Sequence, residues 1–175
     1  MFKRILVLAP HTDDGELGCG GAVARFLDEG REVYQAVFSS AARSLPAGLP
    51  PDTLVREWKA ATSTLGIPAG SLIRYEFPVR EFPAWRQEIL EKLIILRREL
   101  EPDLVLLPAL EDLHQDHRTI AREGIRAFKQ VSVLGYELPW NNLEFKNNCF
   151  IVLQESHLQK KAAGLACYRS QRHRI

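Results

Sequence analysis

The sequence has few cysteines and no long apolar run. Its three cysteines, Cys19, Cys149 and Cys167, are odd in number and widely spaced, which excludes a disulfide framework and a zinc knuckle. No apolar stretch approaches the ~20 residues that a membrane-spanning helix needs. The first residues pass directly into a strand-like run, without the small-residue cleavage site of a signal peptide. These absences predict a cytoplasmic protein with reduced thiols and no integral membrane segment.

The sequence also lacks an excess of charge of either sign. Lysine and arginine number 23 against 22 acids, so the net charge is +1 over 175 residues. Such a balance gives no general attraction to nucleic acid or to an anionic membrane. Hydrophobic residues make up 46% of the chain, and no linker, repeat or low-complexity tract interrupts it. We therefore predict a single domain over residues 1–175 and no nucleic-acid partner.

Short apolar runs alternate with amphipathic stretches along the chain. The runs predict strands at about 5–9, 33–38, 72–75, 103–107, 131–137 and 150–153. The stretches predict helices at about 16–29, 53–65, 84–100, 116–129 and 156–168, the last capped by Ser156. Continuously apolar strands that alternate with helices are typical of a layered α/β domain with a mostly parallel sheet.

Two of the predicted strand ends carry many histidines and aspartates. His11, Asp13 and Asp14 follow the first strand, and the polar segment from Glu111 to His117 follows the fourth. In open α/β sheets, ligands bind beyond the carboxyl ends of the strands. Histidine and carboxylate together suit a divalent metal, and three such ligands leave a position open for water, as in catalytic zinc sites. The two clusters therefore predict a catalytic metal centre.

Two other interpretations compete with a metal centre. Asp13, Asp14 or Asp116 could simply cap a helix, but capping does not explain the histidines at both strand ends. The glycines after the first strand suggest a dinucleotide-binding turn. That turn would need glycine where Val23 stands, and the second strand is followed by two serines rather than by the acid that binds a ribose. The metal centre is the better interpretation.

The first cluster belongs to a longer motif. The segment from Ala9 to Gly21, APHTDDGELGCGG, resembles the signature of the PIG-L/LmbE-like deacetylases, and the segment from His114 to His117 resembles their H-x-D-H motif. Residues 56–66, and Lys161 with 168–171, are similar to two later helices of the family. The resemblance implies a Rossmann-like three-layer domain that removes N-acetyl or related N-acyl groups from amino sugars or their conjugates. It also implies one Zn²⁺ per chain, or another divalent ion in its place.

The resemblance implies a role for each residue of the two clusters. The metal ligands would be His11, Asp14 and His117. Asp13 would be the general base. His114 would stabilise or protonate the intermediate, and Asp116 would orient His114.

Other features bear on the substrate. Trp140 with Asn141 could form a sugar-binding wall, and Arg56 could bind a substrate hydroxyl or phosphate, although an arginine there is equally expected to be solvated. Thr12 replaces the family's usual proline, and the chain ends four residues after Gln171, where family members generally continue. These departures favour an alternative, a non-catalytic relative that binds metal and sugar. Phosphoester hydrolysis is a further alternative, and a homo-oligomer is compatible with each.

Overall fold

The centre of the fold is a parallel sheet. The structure is a computed structural model that describes residues 2–144 and 146–174. Its strands are β1 Arg4–Ala9, β2 Glu32–Val37, β3 Leu72–Arg74, β4 Leu104–Pro108 and β5 Ser132–Tyr136. They lie in the order β3-β2-β1-β4-β5, and every pairing is parallel. The first five predicted strands are confirmed, and the sheet is wholly rather than mostly parallel.

The sixth predicted strand, at 150–153, is wrong. This segment has no regular secondary structure, and the side chains of Phe150 and Val152 are each 78% exposed. The carbonyl of Val152 accepts a hydrogen bond from Nη1 of Arg25 at 2.8 Å, and Leu153 lies against Gly21. The four apolar residues therefore pass over a helix instead of joining the sheet, an outcome that a short apolar run cannot distinguish from a strand.

Helices cover both faces of the sheet. They are α1 Asp14–Asp28, α2 Thr53–Leu65, α3 Arg86–Leu100, α4 Gln115–Ala127 and α5 Glu155–Leu165. Ile89 and Leu93 of α3 and Ile120 of α4 belong to the core on one face, whereas Val23 of α1 and Leu65 of α2 belong to the core on the other. The predicted Rossmann-like three-layer α/β fold is confirmed. No helix within the described residues is long and apolar enough to cross a bilayer.

Several predicted helix ends shift. The predicted Ser156 cap is wrong, because Gln154 caps α5: its side chain accepts from the N–H of His157, and its own N–H donates to His157 Nδ1 at 3.0 Å. This helix ends at Leu165, and a 3₁₀ segment occupies Arg169–Arg174. A 3₁₀ turn at Phe82–Trp85 delays the start of α3.

The strand order determines where a site can lie. The strands β1 and β4 are neighbours, but the chain continues from β1 to β2 on one side and from β4 to β5 on the other. A crevice opens where the strand order reverses in this way, at the carboxyl ends of the two strands. The β1–α1 and β4–α4 loops, which carry the two polar clusters, line this crevice.

Candidate metal centre

Three side-chain donor atoms converge between the two loops. Nδ1 of His11 and Nε2 of His117 lie 3.3 Å apart, and Oδ2 of Asp14 lies 3.2 Å from each of them. In a tetrahedral zinc site with bonds of ~2.0–2.1 Å, neighbouring ligand atoms are ~3.3–3.4 Å apart. The three atoms therefore have the spacing expected of three ligands to one small divalent ion.

Each of these histidines has a carboxylate on its other ring nitrogen. Oδ2 of Asp116 lies 2.9 Å from Nε2 of His11, and Oδ2 of Asp112 lies 2.7 Å from Nδ1 of His117. An ionised carboxylate can only accept, so each contact keeps a ring proton on the nitrogen that faces away from the centre. The converging nitrogens can then offer lone pairs to a metal, an arrangement that outer carboxylates commonly support in metal sites.

Asp112 is a site residue that sequence reasoning missed. It is buried, and its second oxygen accepts the N–H of His114 at 2.8 Å, so it also holds the loop in place. Its only signal is its position in the polar run after β4. Glu111 stands beside it with the same charge but is exposed, and the sequence does not say which of the two faces inward.

The Asp116 carboxylate contacts His11 and not His114, the residue that Asp116 was expected to orient. Its carboxylate, fully buried, lies on His11 and accepts the N–H groups of Arg80 and Phe82 at 2.6 and 3.2 Å. The contact with His114 comes from the main chain instead, because the Asp116 N–H donates to His114 Nδ1 at 3.2 Å. His114, not Asp116, is therefore the cap of α4.

His114 lines the cavity beside the three donors. Because its Nδ1 accepts a hydrogen bond, the proton of the neutral ring is on Nε2. Burial, with His117 and His11 nearby, lowers the pKa of His114 and favours that neutral form. Ring nitrogens of His11, His114 and His117 lie within 4.8 Å of one another, so three histidines form a second, wider set of metal donors.

Asp13 and Asp14 do not cap α1 with their side chains. Asp13, at the N-cap position, makes no capping hydrogen bond, and Asp14 Oδ2 accepts the N–H of His11 at 2.8 Å. Asp13 lines the cavity, where burial and the adjacent Asp14 carboxylate raise its pKa to about 6. A carboxylate with a pKa near neutrality is suited to accept a proton.

The charges of the donors depend strongly on one another. Burial opposes the charged form of His11, but hydrogen bonds to Asp116 and Asp14 outweigh it and raise the pKa of His11 to about 9. In the same way, Asp14 and Asp112 outweigh burial and raise the pKa of His117 to about 10. The two histidines hold the pKa of Asp14 well below its usual range in spite of burial. A metal must therefore displace protons when it binds.

The donors lie at a cavity of about 780 Å³, large enough for a sugar. Trp140 and Asn141 line this cavity. Arg56 is not among its lining residues; it is exposed on α2, where its Nε lies 3.3 Å from an oxygen of Asp52. We therefore do not assign Arg56 to the substrate site.

The C-terminal segment supplies part of the cavity wall. Tyr168 and Gln171 line it, and the Tyr168 hydroxyl donates to the carbonyl of Thr12 at 2.5 Å. Both oxygens of Glu57 accept from Ser170, one from its N–H at 2.8 Å and one from its hydroxyl at 2.6 Å. The motif resemblance pointed to residues 56–66 and 168–171 but not to this pairing, which joins residues 113 positions apart.

The family comparison agrees with the two motifs. The family described as PIG-L, GlcNAc-PI de-N-acetylase, matches residues 6–128, about 70% of the chain. The chain is 24% identical to the Escherichia coli protein named uncharacterized deacetylase YaiS, over 96% of this chain and 91% of the relative. It is 26% identical to the diacetylchitobiose deacetylase of Thermococcus kodakarensis, over 71% of this chain but only 49% of that enzyme.

Solved structures share the fold. The N,N'-diacetylchitobiose deacetylase of Pyrococcus horikoshii, bound to an inhibitor, superposes with a TM-score of 0.80 at 21% identity, covering 97% of this chain and 71% of that chain. The 4-carboxy-2-hydroxymuconate hydratase GalB of Pseudomonas putida reaches 0.81 at 22% identity, covering 98% and 80%. Since one fold accommodates both reactions, the residues of the site must distinguish them.

Proposed function

The chain belongs to the PIG-L family of de-N-acetylases, and on that premise we propose that it removes an N-acetyl or related N-acyl group from an amino sugar or its conjugate. The observation that carries the proposal is the triangle of donor atoms from His11, Asp14 and His117, 3.2–3.3 Å on each side, with Asp13 lining the same cavity. A hydrolase of this kind needs a Lewis-acid site and a separate proton acceptor. Both can be formed by residues of one cavity.

We propose Zn²⁺, one per chain, as the resident ion, with His11, Asp14 and His117 as its ligands. Two nitrogens and one oxygen suit zinc, although other divalent ions accept the same donors. When bound, such an ion polarises the amide carbonyl and lowers the pKa of a coordinated water to about 7. Asp112 and Asp116 orient the two histidines from behind.

The remaining chemistry falls to Asp13 and His114. Asp13 takes a proton from the attacking water as the water oxygen bonds to the acyl carbon. The C–N bond then breaks, and Asp13 returns the proton to the departing nitrogen. His114 donates a hydrogen bond from Nε2 to the carbonyl oxygen as negative charge develops there. It stabilises rather than protonates, because a second ring proton on Nδ1 would face the Asp116 N–H.

The proposed substrate is a small acylated amino sugar. Trp140 offers an aromatic face and Asn141 an amide, and these groups suit a carbohydrate ring and its hydroxyls.

The proposed compartment is the cytoplasm. Cys19, Cys149 and Cys167 are free thiols, which supports this compartment.

A panel of N-acetylated amino sugars and conjugates tests the proposal. Zinc-loaded protein is expected to release one acetate per free amine formed. This release is expected to stop when the metal is chelated and to resume when zinc is restored. Zinc-loaded protein that binds these sugars and releases no acetate would instead select the non-catalytic alternative. If the protein instead binds two metals per chain and cleaves phosphoesters, the alternative of phosphoester hydrolysis is selected.

A further inference from the structure

Arg80 has an unusual backbone conformation at the edge of the cavity. Its φ is +72°, in the left-handed region that glycine adopts freely and that a residue with a Cβ adopts at a cost. Such conformations persist where the surroundings impose them, and they are common at ligand-binding positions. Position 80 is arginine and not glycine, so the fold bears the cost of this conformation.

The Asp116 carboxylate ties Arg80 to the metal centre. Oδ2 of Asp116 accepts the Arg80 N–H at 2.6 Å, and the same oxygen lies 2.9 Å from Nε2 of His11. The second oxygen accepts the N–H of Phe82 at 3.2 Å. One buried carboxylate therefore fixes the position of the Arg80 backbone relative to the ring of His11.

Arg80 carries a charge that its surroundings do not neutralise. Within the described part of the chain, two arginines line the cavity, Arg43 and Arg80. Nη1 of Arg43 lies 2.5 Å from a carboxylate oxygen of Glu81. The guanidinium of Arg80 has no hydrogen-bond or ion-pair partner among the side chains and main-chain groups that the structure describes, and the residue is exposed. A guanidinium of this kind can bind a carboxylate or a phosphate with two parallel hydrogen bonds.

We propose that Arg80 binds an anionic group of the substrate, so that this protein prefers acylated amino sugars that carry a carboxylate or a phosphate. The proposal rests on the deacetylase function argued above and specifies its substrate class. An anion at Arg80 would place the sugar across the cavity, with its acylated nitrogen toward Asp13. The anion would also neutralise the one cavity arginine, of those in the described chain, that has no acid partner.

Steady-state kinetics on matched substrates test the proposal. The panel contains neutral N-acetylglucosamine, its 1-phosphate and 6-phosphate, and N-acetylmuramic acid, which carries a carboxylate. At least one anionic compound is expected to exceed the neutral sugar in kcat/KM by about 10- to 100-fold, the value of a charge-assisted hydrogen bond. The phosphates and the carboxylate separate the two sources of negative charge.

Three variants of Arg80 separate its charge from its backbone. Arg80→Ala and Arg80→Gly are both expected to abolish the preference for the anionic compound, and Arg80→Lys to retain part of it, because lysine keeps the charge without the planar fork. Arg80→Gly is also expected to melt at the same or a higher temperature than the parent, since glycine suits the positive φ. Arg98→Ala, an exposed arginine on α3, is the control and leaves the preference unchanged.

The outcomes distinguish this proposal from the deacetylase function. If acetate is released but neutral and anionic sugars are used equally, or if Arg80→Ala keeps the preference, the Arg80 proposal is overturned and the function stands. If the protein releases acetate from none of these sugars, calorimetric binding of the same compounds to zinc-loaded protein still tests whether Arg80 binds the anionic group. Tighter binding of an anionic compound that is lost in Arg80→Ala supports Arg80, and equal binding refutes it.

Discussion

Oδ2 of Asp116 lies 2.9 Å from Nε2 of His11, on the side of the ring that faces away from the three donor atoms. This contact makes the Asp116 carboxylate a partner of His11, a proposed metal ligand, rather than of His114. His117 has an equivalent contact, because Oδ2 of Asp112 lies 2.7 Å from its Nδ1. The two histidines, one from each loop, are therefore held by equivalent carboxylates.

Replacing either carboxylate tests this pairing. Asp116→Asn and Asp112→Asn are each expected to weaken zinc binding by about 10- to 100-fold, because an amide orients the imidazole less well and leaves it less basic. Competition with a chelator measures the affinity. If Asp116→Asn lowered kcat with zinc affinity unchanged, Asp116 would act through His114 after all.

Metal affinity should rise with pH. Without metal, His11 and His117 have pKa values of about 9 and 10, so both bind protons at pH 7. A metal needs their neutral forms, and each ion bound at pH 7 is expected to release about one to two protons. Calorimetry in buffers of different ionisation enthalpy counts these protons. An affinity that stays constant from about pH 6.5 to 8.5 would contradict the assignment of these ligands.

Glu16 should make stability depend on pH. It is 0% exposed, and burial raises its pKa from 4.5 to about 8. A carboxyl with a raised folded pKa contributes its full stability below pH 4.5 and loses it as the pH rises toward 8. By pH 7 the loss is about 3 kcal/mol.

Glu16→Gln does not titrate and is the matched variant. Relative to the parent, its free energy of unfolding is expected to increase between about pH 5 and 7.5, as urea denaturation at both pH values would measure. Parallel pH profiles for the two proteins would show that Glu16 ionises normally in the fold.

The C-terminal wall should affect substrate binding more than chemistry. Glu57 holds Ser170 through two hydrogen bonds, and Tyr168 and Gln171 on either side line the cavity. Glu57→Ala is expected to raise KM by about tenfold, ~1.4 kcal/mol, with a smaller change in kcat. Ser170→Ala keeps the main-chain bond and should have a weaker effect. A fall in kcat at constant KM would contradict this role.

The sheet and the polar clusters of the β1–α1 and β4–α4 loops were predictable because their signals are local. Residues 5–9 are apolar on both faces, and a strand buried between two helical layers needs this pattern. His11 and Asp14 stand directly after that strand, so a parallel sheet brings them to the same edge as His117. A buried strand and the polar residues that follow it lie within a few positions of each other, so local sequence is sufficient to predict them.

The partners of these residues could not be predicted, because they depend on contacts between distant segments. The Asp116 carboxylate accepts the N–H groups of Arg80 and Phe82, which lie 36 and 34 residues earlier in the chain. No residue pattern near Arg80 predicts this contact. The choice of Asp112 over Glu111 depends on which way the loop turns inward. At 150–153 the apolar run predicts a buried strand, but the segment passes over a helix and leaves the side chains of Phe150 and Val152 exposed.

The most direct test of the account is acetate release by Asp13→Asn with its metal content measured in the same sample. Zinc-loaded parent protein is expected to hydrolyse an N-acetylated amino sugar. Asp13→Asn is expected to keep about one zinc per chain but to lose about 10²- to 10⁴-fold in kcat. Asp14→Asn, the adjacent control, should lose the metal itself. Parental turnover by fully metallated Asp13→Asn would contradict the assignment of Asp13 as the proton acceptor.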